Sequence, residues 1–346
     1  MTNTEIATKA PESDAQETST PPSSEPSSAT ATTAPAPAPT SSSPKLSEHC
    51  TSDRPAPVGQ SSTGEIRKLN DVDVYISKPA DYPHAPARLL LLLTGGTGLQ
   101  SVNNQIQADR FASDGNFLVV MPDLFNGDPA PNSRAAAEFE SEVQSSGSSS
   151  LLDAFRLKAA ETAKSFLIDM WLARHTEEKV LPLLERVLDG ARDEFADAVT
   201  NGGGVYGVGY CFGARYILLL AAERQKNGQR NQQGGSGNDE EANRPATTPP
   251  QLKAGALAHA TMVSKEDFSG LKAPLSVVCV ENDPMFPDEV RVAGEEYMSS
   301  NGVEHEVQVY PGVPHGFAVV GEYDDANIKV AQATAYDQML NWLKEH

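Results

Sequence analysis

The stretch 203–224, "GGVYGVGYCFGARYILLLAAER", holds a β-rich run, a cysteine set between glycines, and an apolar helical run. Its centre reads Gly209-Tyr210-Cys211-Phe212-Gly213. A candidate nucleophile with a small residue two positions to either side is the pattern of a strand-turn-helix elbow. There the nucleophile takes a strained backbone conformation, and the glycines keep strand and helix from clashing. Cys211 would sit at the start of the helix, where the positive end of the helix dipole favours a thiolate. The Phe212 amide would then face a developing oxyanion. The competing reading is plain: most free cysteines are small buried apolar side chains. Five residues cannot separate the two, so the neighbourhood must.

Outward from the elbow, the chain alternates strands and helices. "DVDVYISKP" (71–79) alternates like a half-exposed strand, and "ARLLLLLTGG" (87–96) is a continuous apolar run, as in a strand buried on both faces. A helix is expected around 103–115 with Gly115 at its stop position, followed by a buried strand at 116–125. The pattern from 151 to 199 is helical, interrupted or adjusted at Pro182 and Gly190. "AGALAHATMV", "LSVVCVEND" and "EVQVYPG" supply further strands, and an amphipathic helix closes the chain. Strand-helix-strand order predicts a mostly parallel central sheet flanked by helices. Two polar tracts, 143–150 and 225–250, read as flexible surface insertions.

Catalytic groups on such sheets gather beyond the carboxyl ends of the strands. Asp283 follows "LSVVCV", and His315 follows "EVQVY", so both have that placement. Cys211, Asp283 and His315 therefore run in the order nucleophile, acid, histidine. In that arrangement His315 accepts the thiol proton and Asp283 fixes its tautomer. Glu281 and Asp288 are competing choices for the acid, and Asp283 beside Pro284 is also a good turn former. His259 and Cys279 read as core or supporting groups. The glycines of "TGGTG" (94–98) allow close backbone approach, and the Gly96 amide is the candidate for the second oxyanion donor. That loop lacks a Walker lysine and the GxGxxG spacing, so phosphate binding is a weak alternative.

Composition narrows the class. Residues 1–60 contain a Ser/Thr/Pro/Ala-rich tract ("TSTPPSSEPSSATATTAPAPAPTSSSP") that cannot bury enough apolar surface to order itself, and they are expected to be a disordered tail. The formal charge is -20 and no Lys/Arg run occurs, so no nucleic-acid partner is expected. Three cysteines, Cys50, Cys211 and Cys279, are an odd, widely spaced set that suits a reducing compartment. No Cys/His spacing suggests a metal site. With no signal core and no membrane-length apolar run, the expectation is a cytoplasmic protein without a membrane partner.

Five stretches together resemble the dienelactone hydrolase family of α/β-hydrolases, its fungal members above all: "ADRFASDGNFLVVMPDLFNGD" (108–128), "WLARHTEEKV" (171–180), "GYCFGARY" (209–216), "ENDPMFP" (281–287) and "YPGVPHGFAV" (310–319). The resemblance covers nearly all of 60–346 and implies an α/β-hydrolase fold over 61–346. It also implies a Cys-His-Asp triad at Cys211, Asp283 and His315 that hydrolyses a small ester or lactone through a thioester, with no cofactor. Two positions depart from the family pattern. Gly95 stands where the bacterial prototype has a glutamate that contacts the resting thiol. Val319 and Val320 stand where an arginine often holds a substrate carboxylate, with Arg215 as the candidate replacement. A less charged ester or lactone is therefore favoured. The rival reading is a non-catalytic protein that binds a small molecule or partner through the same pocket.

Overall fold

The structure, a computed structural model, describes residues 51–131, 166–225 and 247–346. The expected tail up to residue 50, the tract 143–150, the helical expectation for 151–165 and the centre of the 225–250 insertion lie outside the described residues. The strands are β1 (Glu65–Leu69), β2 (Val72–Ser77), β3 (Arg88–Leu93), β4 (Phe117–Pro122), β5 (Val205–Tyr210), β6 (Arg224–Gln225), β7 (Thr247–Thr248), β8 (Ala254–Ala258), β9 (Leu275–Val280) and β10 (His305–Tyr310). The helices described from end to end are α1 (Val102–Gly115), α2 (Glu177–Glu194), α3 (Ala196–Gly202), α4 (Phe212–Ala221), α5 (Asp288–Ser300) and α6 (Ala326–Glu345), and residues 166–174 are helical as well. Eight strands form one sheet in the order β1-β2-β4-β3-β5-β8-β9-β10. Only the β1–β2 and β2–β4 pairs are antiparallel. The pairs from β4 through β10 are all parallel. This is the mostly parallel, helix-flanked sheet expected from the strand-helix alternation.

The run of leucines in β3 shows why the sheet is buried on both faces. Leu89, Leu91 and Leu93 join one apolar core, and Leu90 and Leu92 join the other. Side chains alternate across a strand, so an unbroken apolar run feeds two layers. One layer is closed by α1 and α6 through Phe111, Tyr336 and Met339. The other is closed by α2 and α4 through Leu184, Val187, Ile217 and Leu218.

Several expectations change in detail. β1, with sequence EIRKL, carries little apolar signal, because it lies at the sheet edge with Glu65 and Lys68 exposed and only Leu69 buried. β2 is more buried than its alternation suggests, since it pairs on both sides and Val74, Tyr75 and Ile76 are all covered. α1 stops at Asn116, which adopts the left-handed conformation (φ 54°); Gly115 is the last helical residue. Pro182 lies inside α2, which continues through it to Glu194. The ends of the 225–250 insertion are tied together by the β6–β7 pair.

Composition also places residues 51–60 in the tail, and here the structure differs. The Ser101 hydroxyl donates to Asp53 Oδ1 (2.8 Å), Asn103 Nδ2 donates to the Arg54 carbonyl (2.8 Å), and the Glu322 amide donates to the Pro55 carbonyl (2.9 Å). The Arg54 guanidinium lies 3.7 Å over the Tyr323 ring. Residues 53–55 belong to the domain, held by polar and cation–π contacts that a composition count does not register.

Candidate active site

Cys211 is the residue between β5 and α4, with φ 49° and ψ −113°. A non-glycine residue in that region is strained by about 1–3 kcal/mol and persists only where its surroundings over-determine it. They do. The Cys211 amide donates to Ala258 O (3.1 Å), and its carbonyl accepts from Thr261 N (3.2 Å) and Ala214 N (3.1 Å). A Cβ at position 213 would lie 2.5 Å from Leu93 backbone atoms, and one at 209 would lie 2.8 Å from Gly213 O. Both elbow glycines are therefore required by close approach of strand, helix and neighbouring loop. The Gly213 amide donates to Thr94 O (3.0 Å), which draws the 94–98 loop against the helix start.

His315 and Asp283 meet as the sequence order suggests. His315 Nδ1 lies 2.6 Å from Asp283 Oδ2, and both side chains are buried. The second Asp283 oxygen accepts from the Met285 amide (2.9 Å), so the carboxylate is held at both ends. The other two candidate acids are placed differently. Glu281 is exposed, and Asp288 is exposed and paired with Arg291 (3.1 Å). Burial by itself lowers the basicity of His315. Hydrogen bonds to Asp283 and Cys211, together with the negative charge of both, outweigh it and push the imidazole up to about 9. The arrangement thus favours an imidazolium between a carboxylate and a sulfur.

Two groups near the sulfur carry little or no sequence signal of their own. Thr261, wholly buried, places Oγ1 3.3 Å from Cys211 Sγ and 3.3 Å from His315 Nε2. His259, also wholly buried, packs edge-on to the His315 ring with centroids 5.1 Å apart. That agrees with its reading as a supporting group. Thr261 escapes sequence reasoning because threonine is common in loops. Its position beyond the end of β8, at the same carboxyl end of the sheet as Cys211, Asp283 and His315, is the available clue.

The 94–98 loop lies beside the thiol as expected. A Cβ at Gly95 would fall 3.1 Å from Cys211 Cβ and 3.7 Å from Sγ, so the loop backbone, not a side chain, approaches the sulfur. The Gly96 carbonyl is tied to Ala130 N (2.8 Å). Phe212 is the first residue of α4, so its amide has no partner within the helix. Its ring is wedged against Phe125 (5.2 Å) and Trp171 (5.4 Å). Two of the stretches that carry the family resemblance therefore converge behind the elbow. His175, which has no evident context in the sequence, is buried in that same group, 4.9 Å from Trp171.

Arg215 does not take the place of a carboxylate anchor. Its Nε and Nη2 donate to the two oxygens of buried Asp267 (3.0 and 2.9 Å), and Nη2 also reaches Glu177 Oε2 (2.8 Å). With two carboxylates on one guanidinium, no positive charge is left over for a substrate anion. Val319 and Val320 line the small cavity at Cys211, of about 30 Å³, together with Ser52, Asp53 and Arg54. A larger pocket, of about 320 Å³, is lined by Thr261, Phe212, Arg215 and His175 among others. Among the described residues, no group of three or more His, Cys, Asp or Glu side chains could hold a metal ion, and no helix is long and apolar enough to cross a membrane.

Comparison with known proteins matches this frame. The family model for the dienelactone hydrolase family matches residues 72–346. The chain is 27% identical to hydrolase tropI of Talaromyces stipitatus, over 82% of this chain and 90% of that protein. It is 25% identical to dienlactone hydrolase 1 of Gibberella moniliformis, over 81% of this chain and 87% of that protein. A solved structure of a putative dienelactone hydrolase from Klebsiella pneumoniae shares the fold, with a TM-score of 0.55 at 16% identity, covering 83% of this chain and 100% of that one. With the family model spanning the sheet from β2 onward, the elbow and the loops that carry Asp283 and His315, the chain belongs to the dienelactone hydrolase family and is a hydrolase of small esters or lactones.

Proposed function

We propose that Cys211 is the nucleophile of this hydrolase and that His315 and Asp283 activate it. The observation that carries this reading is the 2.6 Å His315–Asp283 contact, set behind a strained cysteine at a helix start. Sγ attacks the ester carbonyl carbon, and the carbonyl π electrons move onto oxygen. The amides of Phe212 and Gly96 are the proposed donors to that oxyanion. Collapse breaks the carbon–oxygen bond of the ester. The leaving alkoxide takes the proton from His315 Nε2, and a thioester remains on Cys211. Water, giving a proton to His315, attacks the thioester. The second collapse returns the Cys211 thiolate beside the imidazolium.

The preferred substrates are neutral or weakly charged esters and lactones. Valines occupy 319 and 320, and Arg215 is already neutralised by Asp267 and Glu177. The test is a panel of neutral and anionic esters and lactones turned over by wild type, Cys211→Ala, Cys211→Ser and His315→Ala. Turnover of a neutral substrate that collapses in Cys211→Ala and His315→Ala is expected. Undiminished steady turnover in Cys211→Ala would overturn the assignment.

A further inference from the structure

Beyond β8 the chain runs His259-Ala260-Thr261-Met262, and two of these non-glycine residues have positive φ: His259 at 37° and Met262 at 61°. This turn is stitched to the elbow at both ends. The Cys211 amide donates to Ala258 O, and the Thr261 amide donates to Cys211 O. Strained backbone on either side of a doubly anchored threonine marks a side chain whose position is over-determined. That side chain is the one within 3.3 Å of both Cys211 Sγ and His315 Nε2.

We propose that Thr261 holds the Cys211 thiolate: its hydroxyl donates to Sγ, and its oxygen faces the N–H of the His315 imidazolium. The proposal deepens the reading of Cys211 as nucleophile and rests on it. A threonine hydroxyl has one hydrogen to give and lone pairs to accept with. A separation of 3.3 Å is comfortable for a contact to sulfur and long for oxygen to nitrogen, so the hydrogen belongs to the sulfur. The resting proton transfer balances simply. The S–H bond breaks, the Nε2–H bond forms, and Thr261 ends with the hydroxyl it began with. Gly95 offers no side chain for this task, and even a Cβ at that position would crowd Cys211. A hydroxyl from Thr261 does what a loop acid here cannot. It is a neutral donor, so it stabilises the thiolate without adding a competing negative charge.

The charged and titratable groups around the sulfur come from four directions. They are His315 and Asp283 beyond β10 and β9, His259 beyond β8, Asp53 and Arg54 in the lining of the small cavity, and the Arg215–Asp267–Glu177 cluster, of which Arg215 and Glu177 line the larger pocket with Phe212 and Thr261. All of them remain when Thr261 is changed, so the comparison isolates the hydroxyl.

The experiment is the rate of iodoacetamide labelling at Cys211 against pH, read by peptide mass mapping, in wild type, Thr261→Val and Thr261→Ser. A hydrogen bond to an ionised group predicts that the labelling midpoint rises by about one pH unit or more in Thr261→Val. In Thr261→Ser it stays at the wild-type value, and ester turnover follows the same order. A folded Thr261→Val with the wild-type midpoint would overturn the proposal. Thr261→Ala gives the same readout if the valine variant does not fold. The two readings fail differently. A wild-type midpoint near the ordinary thiol value of about 8.5, with activity retained in Cys211→Ala, removes the nucleophile itself. A silent Thr261→Val beside an inactive Cys211→Ala removes only the role of the hydroxyl.

Discussion

Cys211 and Cys279 are two buried thiols in one sheet, 3% and 1% exposed, two strands apart in the β5-β8-β9 order. Cys279 lies within β9, where burial pushes its thiol up to about 12. Cys211 lies one residue beyond β5, on a positive-φ turn, at a helix start and against His315 and Thr261. Burial is common to both. What separates them is a single residue of displacement past the strand end, which exchanges apolar neighbours for a helix terminus, an imidazole and a hydroxyl. In the proposed mechanism, reactivity is a property of the turn, not of the element or of exposure.

The largest expected effect tests that contrast. Cys211→Ala should lower kcat for a neutral ester by about a thousandfold or more. Asp283→Asn leaves the histidine in place but favours the wrong tautomer, and should lower kcat by roughly a hundredfold to ten-thousandfold. Equal activity in that variant would assign Asp283 to the turn alone. Gly213→Ala drives a Cβ into Leu93 backbone atoms 2.5 Å away, and should cost about 2–4 kcal/mol in denaturant unfolding along with most activity.

A smaller effect concerns pH. His315 is held above its ordinary 6.5, at about 9, so its protonated form stabilises the folded state. That contribution is complete below about pH 6.5 and disappears as pH rises through 9, with a ceiling of about 3 kcal/mol. The stability difference between wild type and His315→Gln should shrink across that window. A difference that stays constant from about pH 6 to about pH 10 would contradict the ion pair. The smallest effect belongs to the control: Cys279→Ala should keep kcat/KM within about twofold and cost roughly 1 kcal/mol for the lost packing.

Much of this contrast is legible in the chain itself. The five leucines of β3, the glycines around Cys211 and the strand-end positions of Asp283 and His315 are local signals, because apolar periodicity and turn chemistry act over a few residues. β1 is not legible, since an edge strand need not be apolar. Residues 53–55 look like tail by composition, because their order comes from partners such as Ser101, Asn103 and Tyr323, distant in sequence. Arg215 misleads for the same reason. Its partners Asp267 and Glu177 are 52 and 38 residues away, and only the fold shows the guanidinium already neutralised. Thr261 is the sharpest case, a threonine unremarkable in sequence that becomes specific only when neighbouring strand ends converge.

The most direct measurement is chemical. Wild-type protein is mixed with a slowly deacylating ester, quenched in acid and digested, and the peptides are mapped by mass. An acyl group is expected on the peptide containing Cys211, released by neutral hydroxylamine as a thioester is, with Cys279 unmodified in the same sample. Steady product formation with no acyl group on Cys211, or with the label on another side chain, would contradict the proposed mechanism.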